Sequence, residues 1–282
     1  MIPNVAGAAI LACWALALTN AQPKPLPMEP VHESGQSVTG AFEGWFQNPD
    51  GTYSILLGYF NRNLTEELDI PIGPNNRIEP GGPDRGQPTH FLTRRQWGVF
   101  TVTVPKDFGD RKLTWTLVSN HQTMVIPASL NALWELSPFH EEGMGNTPPM
   151  VAFAETGPTV QGPRAISMSM EATLANPLPL TLWVADDAKT LPGAKVPKTP
   201  PVTLRWGKFR GPGEVKFDNP RPPVAEAPWQ PAARFSGKAA TTATFSEPGE
   251  YVLRVVANDW SGDGGAGFQC CWTNAQVKVV VK

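Results

Sequence analysis

The sequence predicts an all-β protein made of two β-sandwich domains, and three observations carry that expectation. The first is punctuation: 31 Pro and 26 Gly make up about a fifth of the 282 residues. Pro inside a helix removes a donor and clashes with the preceding turn, so long helices are disfavoured. The second is rhythm. Val99, Thr101 and Thr103 alternate with Phe100, Val102 and Val104, and Leu113, Trp115 and Leu117 alternate with Thr114 and Thr116. Strict period two buries one face and wets the other, the habit of antiparallel sheets. The third is turn chemistry between the apolar runs. Asn48-Pro49-Asp50-Gly51 supplies Pro at the second turn position and a Gly that tolerates positive φ.

Taken in order, residues 6–18, AGAAILACWALAL, form an apolar run of signal-peptide length. The small residues Thr19 and Ala21 place cleavage before Gln22, although no Lys or Arg precedes the run. The run is shorter than the roughly 20 residues that span a bilayer, so residues 1–21 are expected to leave and the mature chain not to span the membrane. Residues 22–37 are Pro-rich and polar, an extended spacer. Residues 38–162 are expected to form the N-terminal β-sandwich. Its end, from residue 138, is a Pro/Gly-rich connection in which MVAFA could add one short strand. Residues 163–282 contain seven strand patterns: AISMSMEATL, PLPLTLWVADD, PVTLRWGKF, EVKFDNP, KAATTATFS, EYVLRVVAND and WTNAQVKVVVK.

The most informative of these is SEPGEYVLRVVAND, residues 246–259. Tyr251, Leu253, Val255 and Ala257 fall on one face, and Val252, Arg254 and Val256 on the other. A turn ending in Gly249, with Tyr two residues on, resembles the tyrosine corner and following strand of Ig-like domains. Residues 163–282 resemble the bacterial Ig-like and polycystic-kidney-disease-type modules, with Leu253 standing where antibody domains place a Cys. The resemblance implies an Ig-like sandwich and extracellular adhesion or scaffolding; it implies no catalytic residues. The chain as a whole also looks like exported bacterial proteins.

Charge excludes two classes of partner. With 23 basic and 25 acidic residues and only 17% charged, no basic stripe is available for a nucleic acid, and no basic amphipathic helix for a membrane surface. If Cys13 leaves with the leader, Cys270 and Cys271 remain, in an oxidising compartment. Disulfides usually hold Cα atoms about 4.4–6.8 Å apart, whereas trans neighbours sit about 3.8 Å apart. Three states are therefore open: a small-ring vicinal disulfide, two free thiols, or a bond to another chain. If Val277, Val279 and Val281 point inward, alternation puts Cys271 inward and Cys270 outward.

The loop before these cysteines carries two motif matches. Gly262–Gly267 fits G-x-G-x-x-G, but a dinucleotide site must open a helix and be followed by an acid. A strand pattern follows and the sequence ends fifteen residues later, so the match is rejected. Asp259, Ser261 and Asp263 have the odd spacing of a calcium loop, yet the distal Glu position holds Cys270. A structural calcium is the one cofactor suggested; the plainer account is a polar hairpin loop. Of the four histidines, His32 lies in the spacer, while His90, His121 and His140 share the first half. No second His follows His140-Glu141-Glu142, and no G-x-S-x-G elbow occurs. Glu43, Glu135 and Glu155 are scattered without acid/base spacing. Asn63-Leu64-Thr65 is a glycosylation sequon.

Ten tryptophans remain. Trp97, Trp115 and Trp183 sit in apolar strand patterns and are expected in cores. Trp45, Trp206, Trp229, Trp260 and Trp272 lie near strand ends or in loops, and Trp206, Trp229, Trp260 and Trp272 are the candidate binding residues. The expected function is that of a non-catalytic exported protein that binds another envelope or extracellular protein or builds part of such an assembly. The alternatives are a carbohydrate-binding module using loop tryptophans, and a metalloprotein or enzyme around His90, His121 and His140.

Overall fold

The computed structural model describes residues 32–143, 145–190, 193, 195–230, 233–261 and 270–282. Among them are seventeen strands and two short 3-10 turns, so the protein is all-β, built of packed sheets. Residues 1–21, expected from the sequence to be a leader, lie outside the described residues.

The first eight strands are β1 (Val38–Gln47), β2 (Tyr53–Asn61), β3 (Leu68–Asp69), β4 (Asn76–Glu79), β5 (His90–Phe91), β6 (Arg94–Val104), β7 (Leu113–Ser119) and β8 (Gln122–Ala128). They form antiparallel sheets of order β1-β2-β6 and β4-β7-β8, with β3 paired to β5. The Asn48–Gly51 turn closes β1 onto β2 as its residues require, with Gly51 at φ +83° and Gly51 N donating to Asn48 O at 2.9 Å. Alternation places Phe100, Val102, Leu113, Trp115 and Leu117 in one core. Trp115 lies at its centre, edge-on to Phe100, with its indole N–H donated to buried Asn76 Oδ1 at 3.0 Å.

The remaining strands are β9 (Met150–Ala152), β10 (Ile166–Ala172), β11 (Leu178–Asp186), β12 (Thr203–Arg210), β13 (Val215–Phe217), β14 (Ala225–Glu226), β15 (Phe235–Phe245), β16 (Gly249–Asn258) and β17 (Trp272–Val281). They form two sheets, β10-β17-β16-β12 and β13-β15-β11-β9, with β14 paired to β15. Only β10 and β17 pair in parallel; the other pairs here are antiparallel. β9, from within the Pro/Gly-rich connection, pairs with β11. The second core contains Leu182, Trp206, Tyr251, Leu253, Val255 and Val277. The Tyr251 hydroxyl donates to Glu247 O at 2.8 Å and accepts from Gly213 N at 3.0 Å, tying the turn before β16 to the loop after β12.

Val31–Lys282 form one compact unit, because the second set of sheets does not leave its outer face wet. Along β16, Arg254 and Val256 are buried as well as Leu253 and Val255. The face opposite the second core is covered by the first sheets. Phe209 joins the first core, with Val252 packed against it, and Val256 and Trp272 meet Leu56 in a third apolar cluster. A register shift between Lys208 and Arg210 isolates Phe209; such a bulge re-aims a side chain, here into the neighbouring core.

Candidate functional site

Three places bring functional side chains together. At the junction, Gly98 in β6 is the hub. Its carbonyl accepts from Asn274 Nδ2 (2.7 Å), Trp272 Nε1 (3.3 Å) and Arg254 Nη2 (3.4 Å), while its amide donates to Glu43 Oε2 at 2.7 Å. Glu43 also holds Arg95 at 2.7 Å. Burial pushes the Glu43 carboxyl above its ordinary value, outweighing the Arg95 charge that pulls it down. This is a junction of matched polar groups, and Glu43 is committed to it.

Beside the junction lies a groove of about 460 Å³ lined by Glu67, Asp69, His90, Lys208, Glu214 and Phe217 among others. β3 and β5 place His90 so that Nδ1 lies 2.9 Å from Asp69 and Nε2 2.8 Å from Glu67. Lys208, buried on β12, reaches Asp69 at 3.1 Å and the Gly213 carbonyl at 3.1 Å. Burial works to lower the His90 pKa, but the hydrogen bonds to Asp69 and Glu67 outweigh it and leave it raised. Burial likewise works to raise Asp69, and His90 and Lys208 bring it below the usual carboxylate range. Both imidazole nitrogens are engaged by carboxylates on opposite edges of the ring. The arrangement orders charge across the groove and leaves His90 no nitrogen with which to serve a nucleophile.

The third place is the end of the second sheets where β11 and β16 finish. Asp259 Oδ2 accepts from Asn146 Nδ2 at 2.6 Å, and its Oδ1 accepts from Ser261 N at 2.8 Å and from Ser261 Oγ. Asp186 Oδ1 accepts from Ala188 N at 2.7 Å, and Asp187 accepts from Thr147 N and Oγ1. The sulfurs of Cys270 and Cys271 lie 3.9 and 3.6 Å from the Asn146 carbonyl oxygen.

Several sequence expectations are corrected here. Trp206 and Trp272 are 4% and 2% exposed, one inside the second core and one in the junction, so neither can stack on an external ring. Trp260 and Trp229 are partly exposed, with indole N–H groups bonded to Thr199 and Pro200 carbonyls and to Glu155 O respectively. Trp115 is in a core as expected, but Trp97 and Trp183 are only partly buried, covered by Arg95 and Lys238. Cys270 is buried beside Cys271 rather than outward, because the neighbouring segment around Asn146 covers that side. Of the calcium-loop residues, Asp259 and Ser261 bond to each other and Asp263 lies outside the described residues. Asn63 of the sequon is buried, donating to Gln36 O and Asn61 Oδ1, which leaves no room for a glycan. The three histidines do not share a site: His121 is exposed at the β7–β8 turn, and His140 lies by Glu142. Among the described residues no group of three or more His, Cys, Asp or Glu is arranged to hold a metal.

Sequence reasoning missed Lys208, Asp69, Asp186 and Asn146. Lone charged residues in period-two strands read as wet-face positions, and Asn146 sits in a stretch with no period at all. The pair Asp186-Asp187 at a strand end was the one available signal.

The fold and these sites define an all-β protein of packed sheets with a polar junction. No family model matches the chain, and no curated protein matches it. Among solved structures, the endo-fucoidan hydrolase MfFcnA4 from glycoside hydrolase family 107 is 11% identical, with a TM-score of 0.25 over 90% of this chain and 27% of that one. The zebrafish RET cadherin-like domains 1 to 4 are 13% identical, with a TM-score of 0.25 over 77% of this chain and 46% of theirs. The endo-fucoidan hydrolase MfFcnA9 is 10% identical, with a TM-score of 0.23 over 84% and 32%. The chain thus spans under half the length of each. No helix among the described residues is long and apolar enough to cross a membrane.

Proposed function

We propose that this is a non-catalytic, exported protein that binds another protein of an envelope or extracellular assembly. The observation that carries the reading is a pair of apolar side chains held out to solvent by a rigid turn. Leu133 is 89% exposed and Trp134 50% exposed, on the 3-10 turn Ala132–Trp134. The turn is fixed from both sides. Asn131 Oδ1 caps Leu133 N at 2.9 Å, Trp45 Nε1 donates to Asn131 O at 2.8 Å, and Leu136 N donates to Trp45 O at 2.8 Å. A preorganised Trp beside a Leu loses little entropy on binding, and Trp is the residue type most enriched at the energetic centres of interfaces.

The second set of sheets supports an Ig-like assignment. β10 adds in parallel to β17, β16 and β12 complete that sheet, and β9, β11, β15 and β13 form the other. Tyr251 at the start of β16 bonds back to Glu247, as a tyrosine corner does. Export rests on the apolar run at residues 6–18. The engagement of both His90 nitrogens supports a non-catalytic role. The glycan alternative retains Trp229 and Trp260 of its four residues.

Capture from the native envelope fraction tests the reading. The intact protein should retain a partner that the Leu133→Ser/Trp134→Ser double variant, equally folded by circular dichroism, loses about tenfold or more. Equal capture by both would sink it. For the cysteines, sulfurs in contact with one another and both buried support a vicinal disulfide. Alkylation without reductant should leave both unlabelled, and the unreduced intact mass should be lighter than the reduced one by two hydrogens. Labelling of both thiols without reductant contradicts the bond.

A further inference from the structure

We propose that the end of the second sheets is a calcium site, with the side-chain oxygens of Asp186, Asp259 and Asn146 as its protein ligands. Its elements come from three parts of the chain. Asp186 is the last residue of β11, Asp259 follows β16 directly, and Asn146 comes from the connection preceding β9. Asn146 is held to Asp259 through its amide nitrogen, which leaves its side-chain carbonyl oxygen without a partner.

Buried acceptors among these ligands lack a partner. Asp186 is 4% exposed and Asn146 1% exposed, yet Asp186 Oδ2 and Asn146 Oδ1 are buried without any hydrogen bond, as is Asn258 Oδ1 next to Asp259. A buried polar atom left unpaired forfeits the hydrogen bonds it would make to water. Both orphans among the proposed ligands are acceptors, so what they need is a donor or a cation. Lys189 is engaged with Asp187 at 3.5 Å and with the Gly145 carbonyl. The corner therefore has an excess of negative and partially negative oxygen.

The donor chemistry selects the ion. Carboxylate and amide oxygens are hard ligands, and calcium accepts six to eight of them in irregular geometry, with water completing the shell. Of the proposed ligands, Asp259 also lines a groove of about 530 Å³, open between residues 199–205 and 221–224. This set differs from the Asp259–Ser261–Asp263 spacing legible in the sequence. It uses one residue of that trio and draws the other two ligands from outside the loop.

The test is calorimetric titration of the chelator-treated intact protein with CaCl2, paired with thermal melts. About one calcium should bind per chain, and the melting temperature should rise saturably by about 5 °C or more in excess ligand. MgCl2 should produce a smaller shift. Asp186→Asn removes a buried charge and is expected to fold, while weakening calcium binding by about tenfold or more. No binding heat and no shift at about 5 mM calcium, above the range of extracellular calcium modules, overturns the proposal. So does an unchanged affinity in Asp186→Asn, and an equal response to magnesium overturns the choice of ion. Should Asp186→Asn not fold, the wild-type titration decides alone.

Discussion

Replacing Gly98 by alanine is expected to lower the unfolding free energy by about 3 kcal/mol or more. Gly98 has φ +50°, and a Cβ there would stand 2.1 Å from Cζ2 of Trp272. Trp272 is fully enclosed, so it cannot swing aside, and β6 must move instead. That movement separates the Gly98 carbonyl from Trp272, Asn274 and Arg254, and its amide from Glu43. Gly109→Ala is the control, with φ +55° and no neighbour closer than 3.9 Å. It should cost only about 1 kcal/mol of backbone strain. Denaturant unfolding of both variants measures the difference. Equal costs would mean that the Trp272 contact adds nothing.

Asp69→Ala is expected to cost about 2–3 kcal/mol, less than a fully buried pair because Asp69 is half-exposed. The loss arises mainly from what remains: a buried Lys208 ammonium with only Gly213 O, and a His90 with only Glu67. The variant should also alter the pH profile, and the sign follows from the directions of the shifts. His90 is raised above 6.5, so its contribution is complete below 6.5 and is lost as pH rises through the raised value. Asp69 is depressed below 3.8, so its contribution is present above 3.8 and is lost as pH falls through the depressed value. Wild-type stability should therefore decline above about pH 6.5 from this group, and the decline should shrink in Asp69→Ala, where the imidazole keeps one acceptor. Thermal melts across that range and an NMR titration of His90 measure both. An unchanged His90 titration in the variant refutes the coupling.

How much of this was legible follows from the range of each cause. The Asn48–Gly51 turn, the alternation along β6 and β7, and the corner at Tyr251 depend on residues within a few positions of one another. The seven strand patterns after residue 163 all became strands. Function was less legible: the loop tryptophans looked available, yet Trp206 and Trp272 serve as packing. The exposed Leu133–Trp134 pair sits in a stretch with no strand rhythm to mark it.

The sequence by itself determined that the chain is β throughout, where it turns, and which face of each long strand is apolar, because sterics and period-two geometry act locally. The tertiary structure alone decided what covers the second face. Val252, Arg254 and Val256 lie on the second face of β16, where the first sheets bury Arg254 and Val256 and half-cover Val252. Phe209 leaves its own sheet at a bulge to enter the neighbouring core, and Lys208 finds Asp69 across 139 positions of sequence. Alternation specifies two sides of a strand, but only the packing of distant elements decides whether water or protein lies against each.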